Sequence, residues 1–149
     1  MKHPVYKGKE EIKVRKLSFL LVMVLLTISL FGCGNGYVNK YTAKMMQTSC
    51  WDDEASMEFS DFEGVYHFKL KGKNDSDHTL EYDASLGEGE VNVYVGVNGE
   101  KELIFTIKGG ESYDNTIALD DKYDDVKTIY VIVESENKSS NGDFEFEYN

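Results

Sequence analysis

Residues 91–107, VNVYVGVNGEKELIFTI, decide the fold. Val91, Val93, Val95 and Val97 recur at every second position up to Asn98-Gly99, and Leu103, Phe105 and Ile107 do so beyond it. A period of two marks strands with one buried face, and Asn-Gly between them marks a hairpin. A two-residue type I′ turn would set Val95 opposite Glu102 and Val93 opposite Ile104. A type I turn with Gly99 in a bulge sets Val95 opposite Lys101, Val93 opposite Leu103 and Val91 opposite Phe105. Only the second register keeps both apolar sets on one face, so a bulged hairpin is expected. Asn92, Tyr94 and Ile104 then point the other way.

The same alternation extends in both directions. Upstream, Met57 and Phe59 alternate, Asp61-Phe62-Glu63-Gly64 reads as a turn, and Tyr66, Phe68 and Leu70 share a face opposite His67, Lys69 and Lys71. Residues 72–77, GKNDSD, are a turn by composition, Leu80, Tyr82, Ala84 and Leu86 make the next set, and Gly87-Glu88-Gly89 breaks it. Downstream, Ile117 and Leu119 mark a short strand. Ile129 to Val133, IYVIV, reads as a central strand covered on both faces. Ser139 to Asp143 reads as a turn, and Phe144, Phe146 and Tyr148 as a last strand paired with the 126–135 strand. The chain has one Pro, near its start, and helix has little claim after residue 56. About eight strands make an all-β domain over 57–149, an antiparallel β-sandwich or jelly roll. Its closing pattern, an aliphatic strand, a Gly turn and Asp143-Phe144-Glu145-Phe146, resembles the end of bacterial extracellular sandwiches of the pre-peptidase C-terminal type. That resemblance implies a non-catalytic accessory or binding module.

Ahead of the domain stands a different kind of sequence. Lys13, Arg15 and Lys16 precede Leu17 to Phe31, a 15-residue, mostly apolar run closed by Gly32-Cys33. As a helix it would span about 22 Å, short of the roughly 30 Å bilayer core. The pattern resembles a bacterial lipoprotein signal peptide. The resemblance implies cleavage before Cys33, a lipid on its sulfur, and a location at the cell membrane facing outside the cytoplasm. Residues 1–32 are then the signal and 33–56 a lipidated tether. Val38, Tyr41 and Met45 sit at helical spacing within that tether, for barely two turns.

Charge divides at the same place. Six of the 16 Lys and Arg and two of the 27 Asp and Glu lie ahead of Cys33, so the chain from Cys33 onward carries a net charge of about −15. Such a surface stays soluble and repels anionic lipid and nucleic acid, and no basic patch remains for nucleic-acid binding. If Cys33 is lipidated, Cys50 is a lone thiol beside Trp51, expected to be a small buried hydrophobe.

A search for chemistry finds little. There is no nucleophile elbow, P-loop, dinucleotide fingerprint, paired-Cys zinc spacing or zincin helix, and no cofactor is indicated. Asp75/Asp77 and Asp120/Asp121/Asp124/Asp125 are weak calcium candidates, lacking the Gly and distal Glu of a hand-type loop. His67 and His78 read as surface polar groups. Tyr94 and Ile104, with His67 on another strand, make a possible outer binding face, unless the tether around Trp51 covers it. The expected function is a membrane-anchored, non-catalytic binding or accessory module for an extracytoplasmic protein or glycan. The alternative is a surface inhibitor or immunity-type protein using an acidic face against a basic protein. A hydrolase ranks below both, for want of a catalytic constellation.

Overall fold

In the computed structural model the described residues are 37–72, 78–119, 123 and 126–149. Cys33 and the whole signal segment lie outside them. So do Asp75, Asp77 and the aspartates Asp120, Asp121, Asp124 and Asp125.

Eight antiparallel strands are described: β1 (Lys40–Lys44), β2 (Gln47–Trp51), β3 (Glu54–Lys71), β4 (Thr79–Glu88), β5 (Glu90–Val97), β6 (Glu100–Lys108), β7 (Ser112–Ala118) and β8 (Thr128–Tyr148). The spine is β3 against β8, paired from Glu54↔Glu147 to Lys71↔Thr128. One half of this ribbon carries β2 on its β3 side and β4 then β7 on its β8 side. The other half carries β1 and, across β8, β5 then β6. The two halves fold over one core, which makes the chain an antiparallel β-sandwich built from a single continuous sheet.

The fold line lies where the ribbon slips register. Phe62 faces Ser139 and Gly64 faces Ser135, so β8 spends three residues opposite the single Glu63. Extra residues on one strand bend it and sharpen its twist. Gly64 takes φ +117°, and a side chain there would strike the carbonyl of Lys40 on β1. Buried Ser135 and Ser139 pin the bend to the start of β5. The Ser135 hydroxyl donates to the Glu90 carbonyl at 2.8 Å, and the Ser139 hydroxyl accepts from the Glu90 amide at 3.2 Å.

The inward residues are those the alternation assigns: Met57, Phe59, Phe68, Leu70, Leu80, Tyr82, Ala84, Leu86, Val91, Val93, Val95, Phe144, Phe146 and Tyr148 are all buried. Ile129 to Val133 are buried without a break, as expected of a strand with neighbours on both sides.

Four expectations need correction. Asp61 to Gly64 and Ser139 to Asp143 do not end strands; they are bends inside β3 and β8. Consequently the closing Phe144-to-Tyr148 segment does not pair with the 126–135 segment. Both belong to β8, and the closing part lies between β3 and β4. Residues 40–51, read as tether, form two edge strands. The hairpin uses the tight turn: Asn98 and Gly99 have φ of 54° and 87°, and Val95 faces Glu102. The bulge lies deeper in the hairpin, where Tyr94 faces Leu103 and Val93 faces Phe105, leaving Ile104 over. One extra residue returns Phe105 and Ile107 to the core face, so the requirement of a common apolar face is met by a different device. Leu103 is left outside, 51% exposed, and Ile104 packs against the core.

Candidate functional site

Each layer has an outer face, and the two differ in chemistry. On the layer containing β5 and β6, one row across the strands reads His67, Ile132, Tyr94, Leu103. His67 and Tyr94 therefore share a face, one on either side of β8. Ile104 is not on it. Tyr37, just ahead of β1, lies over this face, with its ring centroid 4.8 Å from Tyr130 and 6.2 Å from His67. Its hydroxyl donates to the Glu100 carbonyl. Asn39 Oδ1 accepts from the His67 amide at 2.8 Å. Lys101 sits with Nζ 4.1 Å from the Tyr94 ring centroid and pairs with Glu134.

These contacts close much of the expected binding face. Burial pushes the Tyr37 phenol above its usual range and the His67 imidazole below it. Nδ1 of His67 is buried without a hydrogen-bond partner. The cover comes from Tyr37 and not from Trp51, which is 75% exposed on the other layer. Leu103 and the edge of Tyr94 are what remain open.

The second outer face spans β2, β3, β8, β4 and β7. Its three rows, read in that strand order, are Gln47, Glu58, Asp143, Ser85, Ser112; then Ser49, Ser56, Glu145, Asp83, Asp114; then Trp51, Glu54, Glu147, Glu81, Thr116. Eight of these fifteen positions are carboxylates and none is basic. A groove of about 510 Å³ runs along the last two rows, floored by Glu145, Asp83 and Glu147 and rimmed by Trp51 and Asp114. Ser49 and Ser56 hydroxyls meet at 2.8 Å near one end. The alternation of each strand is the local cause: the residues between these acids are the buried Ala55, Met57, Tyr82, Ala84, Phe144 and Phe146.

The acids are spread across a surface and do not converge. Among the described residues no group of three His, Cys, Asp or Glu side chains is placed to hold a metal ion. Cys50, expected to be buried, is exposed on the edge strand β2. Its thiol turns to the Lys69 carbonyl at 3.4 Å, and loss of water around the sulfur raises its pKa, away from the thiolate that a nucleophile needs.

The acidic face was in part readable as Glu or Asp at alternate positions in 54–58, 81–83 and 143–147. Which of these strands are neighbours was not, because β3, β8 and β4 meet across long stretches of chain.

No protein-family model matches the chain, and no curated protein matches it. Among solved structures, a CBM4 structure aligns at TM-score 0.39 and 11% identity, over 79% of this chain and 100% of that chain. A mutant of a family 29 carbohydrate binding module complexed with mannohexaose aligns at TM-score 0.39 and 21% identity, over 78% and 81%. The cupin domain of Schizosaccharomyces pombe Cnp3 aligns at TM-score 0.31 and 12% identity, over 80% and 74%. Likenesses this distant carry no argument about a ligand.

Proposed function

We propose that this chain is a non-catalytic binding module, held at the outside of the cell membrane by a lipid on Cys33, whose working surface is the acidic face beside Trp51. The carrying observation is the register of the carboxylates. Glu145, Asp83 and Asp114 stand side by side on three adjacent strands, and Glu54 and Glu81 flank the next row. Like charges directly opposite one another in a sheet destabilise it. A face that carries this cost across four strands, β3, β8, β4 and β7, is best explained by a cationic occupant, whose binding relieves the repulsion. A basic protein segment fits that chemistry, so the inhibitor or immunity reading is one form of this proposal. The anchor rests on the Leu17-to-Cys33 pattern alone.

A glycan is the second reading, favoured by Trp51. An exposed indole beside carboxylates and serine hydroxyls offers a stacking plane and hydrogen-bond acceptors for a sugar ring. Titration of the 35–149 unit, followed by Trp51 fluorescence, separates the two. A cationic peptide such as oligolysine should bind with an affinity that falls steeply with salt. Salt-insensitive binding of neutral oligosaccharides, with none of oligolysine, would replace the first reading by the second. For the anchor, Cys33→Ser should release the protein from the membrane fraction or leave the signal uncut. An unmodified Cys33 thiol in the mature wild type would refute it.

A further inference from the structure

We propose that the β1 edge is a membrane-facing surface, with Val38, Tyr41 and Met45 in the headgroup–acyl boundary of a bilayer and Lys40 and Lys44 among its phosphates. This rests on the lipid anchor at Cys33 proposed above. Val38, Tyr41 and Met45 are 75%, 45% and 83% exposed, and they fall on and just either side of the edge strand β1, whose described neighbour is β3 alone. Lys40 and Lys44 lie between them in the chain, on the opposite face of the strand from Tyr41, and Lys44 keeps a side chain 75% exposed although its ammonium lies 3.3 Å from Asp61.

The chain ahead of β1 says what covers this patch. Tyr37 is fixed to the domain through Tyr130 and the Glu100 carbonyl, and Asn39 through the His67 amide. Tyr37 is the fourth residue after Cys33, a reach of at most about 14 Å. A lipid on Cys33 therefore holds the start of β1 within about that distance of the acyl boundary, whichever way the domain turns. Of the surfaces so near, the β1 edge combines exposed apolar groups, a tyrosine and two lysines, the composition that suits an anionic interface. The groove lies toward the other end of this edge. Trp51 on its rim is six residues beyond Met45, up to about 20 Å along the chain, and faces Glu54, ten residues along β3 from the Gly64 that Tyr41 faces. The domain thus stands with β1 down and the Trp51 end of the groove farther from the lipid phosphates that would repel it.

The test uses the full lipoprotein, processed by a bacterial host and reconstituted in phosphatidylethanolamine–phosphatidylglycerol vesicles with brominated acyl chains. The chain has one Trp, at position 51, which serves as the distal reporter. A second protein, Met45→Trp with Trp51→Phe, moves the single indole to β1, and Val38→Trp with Trp51→Phe is the alternative should that protein fail to fold. The expected result is at least twofold quenching for either β1 reporter and none for Trp51. A protein that carries the lipid by mass and floats with the vesicles, yet shows no quenching at β1 or equal quenching at Trp51, overturns this orientation and leaves the anchor standing. A β1 reporter that shifts to the blue with rising protein-to-lipid ratio, without quenching, replaces the bilayer by a second copy of the chain. A mass without lipid on Cys33 removes the anchor and this inference with it.

Discussion

Tyr82 on β4 and Phe105 on β6 stack with ring centroids 4.4 Å apart and planes inclined by 18°. They come from opposite layers, so this pair is a direct bond between the two halves of the folded sheet. Tyr113 closes the cluster edge-on, 5.7 Å from Phe105. Phe105 reaches Tyr82 because the extra residue at Ile104 turns it inward.

Truncating either ring should therefore loosen the layers. Tyr82→Ala or Phe105→Ala should each cost about 3 kcal/mol. A double-mutant cycle should show about 1 kcal/mol of coupling between them. Urea unfolding of the four proteins measures both quantities. Additive losses would mean that the stack adds nothing beyond burial.

Gly64 is the conformational requirement at the bend. Gly64→Ala places a side chain at φ +117° against the Lys40 carbonyl, and should cost about 2–3 kcal/mol. The loss should be local first. Hydrogen exchange of the amides in β1 should rise, with those of β5 and β6 protected as before.

His67 should make stability depend on pH. Burial holds its pKa below the ordinary 6.5, so as pH falls the unfolded chain takes up this proton before the folded one. The stability tied to neutral His67 is then complete above about pH 6.5 and declines as pH drops toward the folded value. Asp61 acts lower: the hydrogen bond from Lys138 holds its carboxyl below the ordinary 3.8, so its contribution is present above that value and is lost as pH falls through the still lower folded pKa. Thermal unfolding at pH 7.5 and 5.5 should show a fall that His67→Gln abolishes. An identical fall in the variant would place the titration elsewhere.

Relief of repulsion on the acidic face should be visible as stability. Glu145→Gln removes one carboxylate from between Ser56 and Asp83 and should raise stability by a few tenths of a kcal/mol, up to about 1 kcal/mol. Added salt should raise the melting temperature of the wild type more than that of the variant. A lower melting temperature for Glu145→Gln would mean that this carboxylate is stabilised by its surroundings, which would remove the cost that motivates a cationic ligand.

Much of this architecture is legible in the chain because burial in a strand leaves a period of two. The inward sets of β4 and β5 and most of those of β3 and β8 follow that period; the residues read from it do not include Ala55, Phe62 and Ser139, buried in β3 and β8. Strand ends are not. Asp61 to Gly64 and Ser139 to Asp143 have turn composition, but a bend inside a long strand needs the same residues. Helical spacing of Val38, Tyr41 and Met45 arose by chance in an edge segment whose exposed residues are under no periodic constraint. The hairpin shows a subtler limit. The demand for one apolar face was sound, yet a turn bulge and an internal bulge meet it equally well, and only packing against Tyr82 distinguishes them. His67 and Tyr94 were assignable to a shared face. The acidic surface was not, since its five strands become neighbours only through the β3–β8 spine.

The most direct measurement is a charge-reversal comparison at constant net charge. One protein carries Asp83→Lys, Asp114→Lys and Glu145→Lys, all exposed on the acidic face; the other carries Glu63→Lys, Glu100→Lys and Glu136→Lys, all exposed elsewhere. Oligolysine titrations, followed by Trp51 fluorescence at low salt, should show binding by the wild type and by the second protein. The first should lose at least tenfold in affinity while remaining folded. Equal losses in both proteins would mean that net charge alone attracts the peptide, and would contradict a binding site on this face.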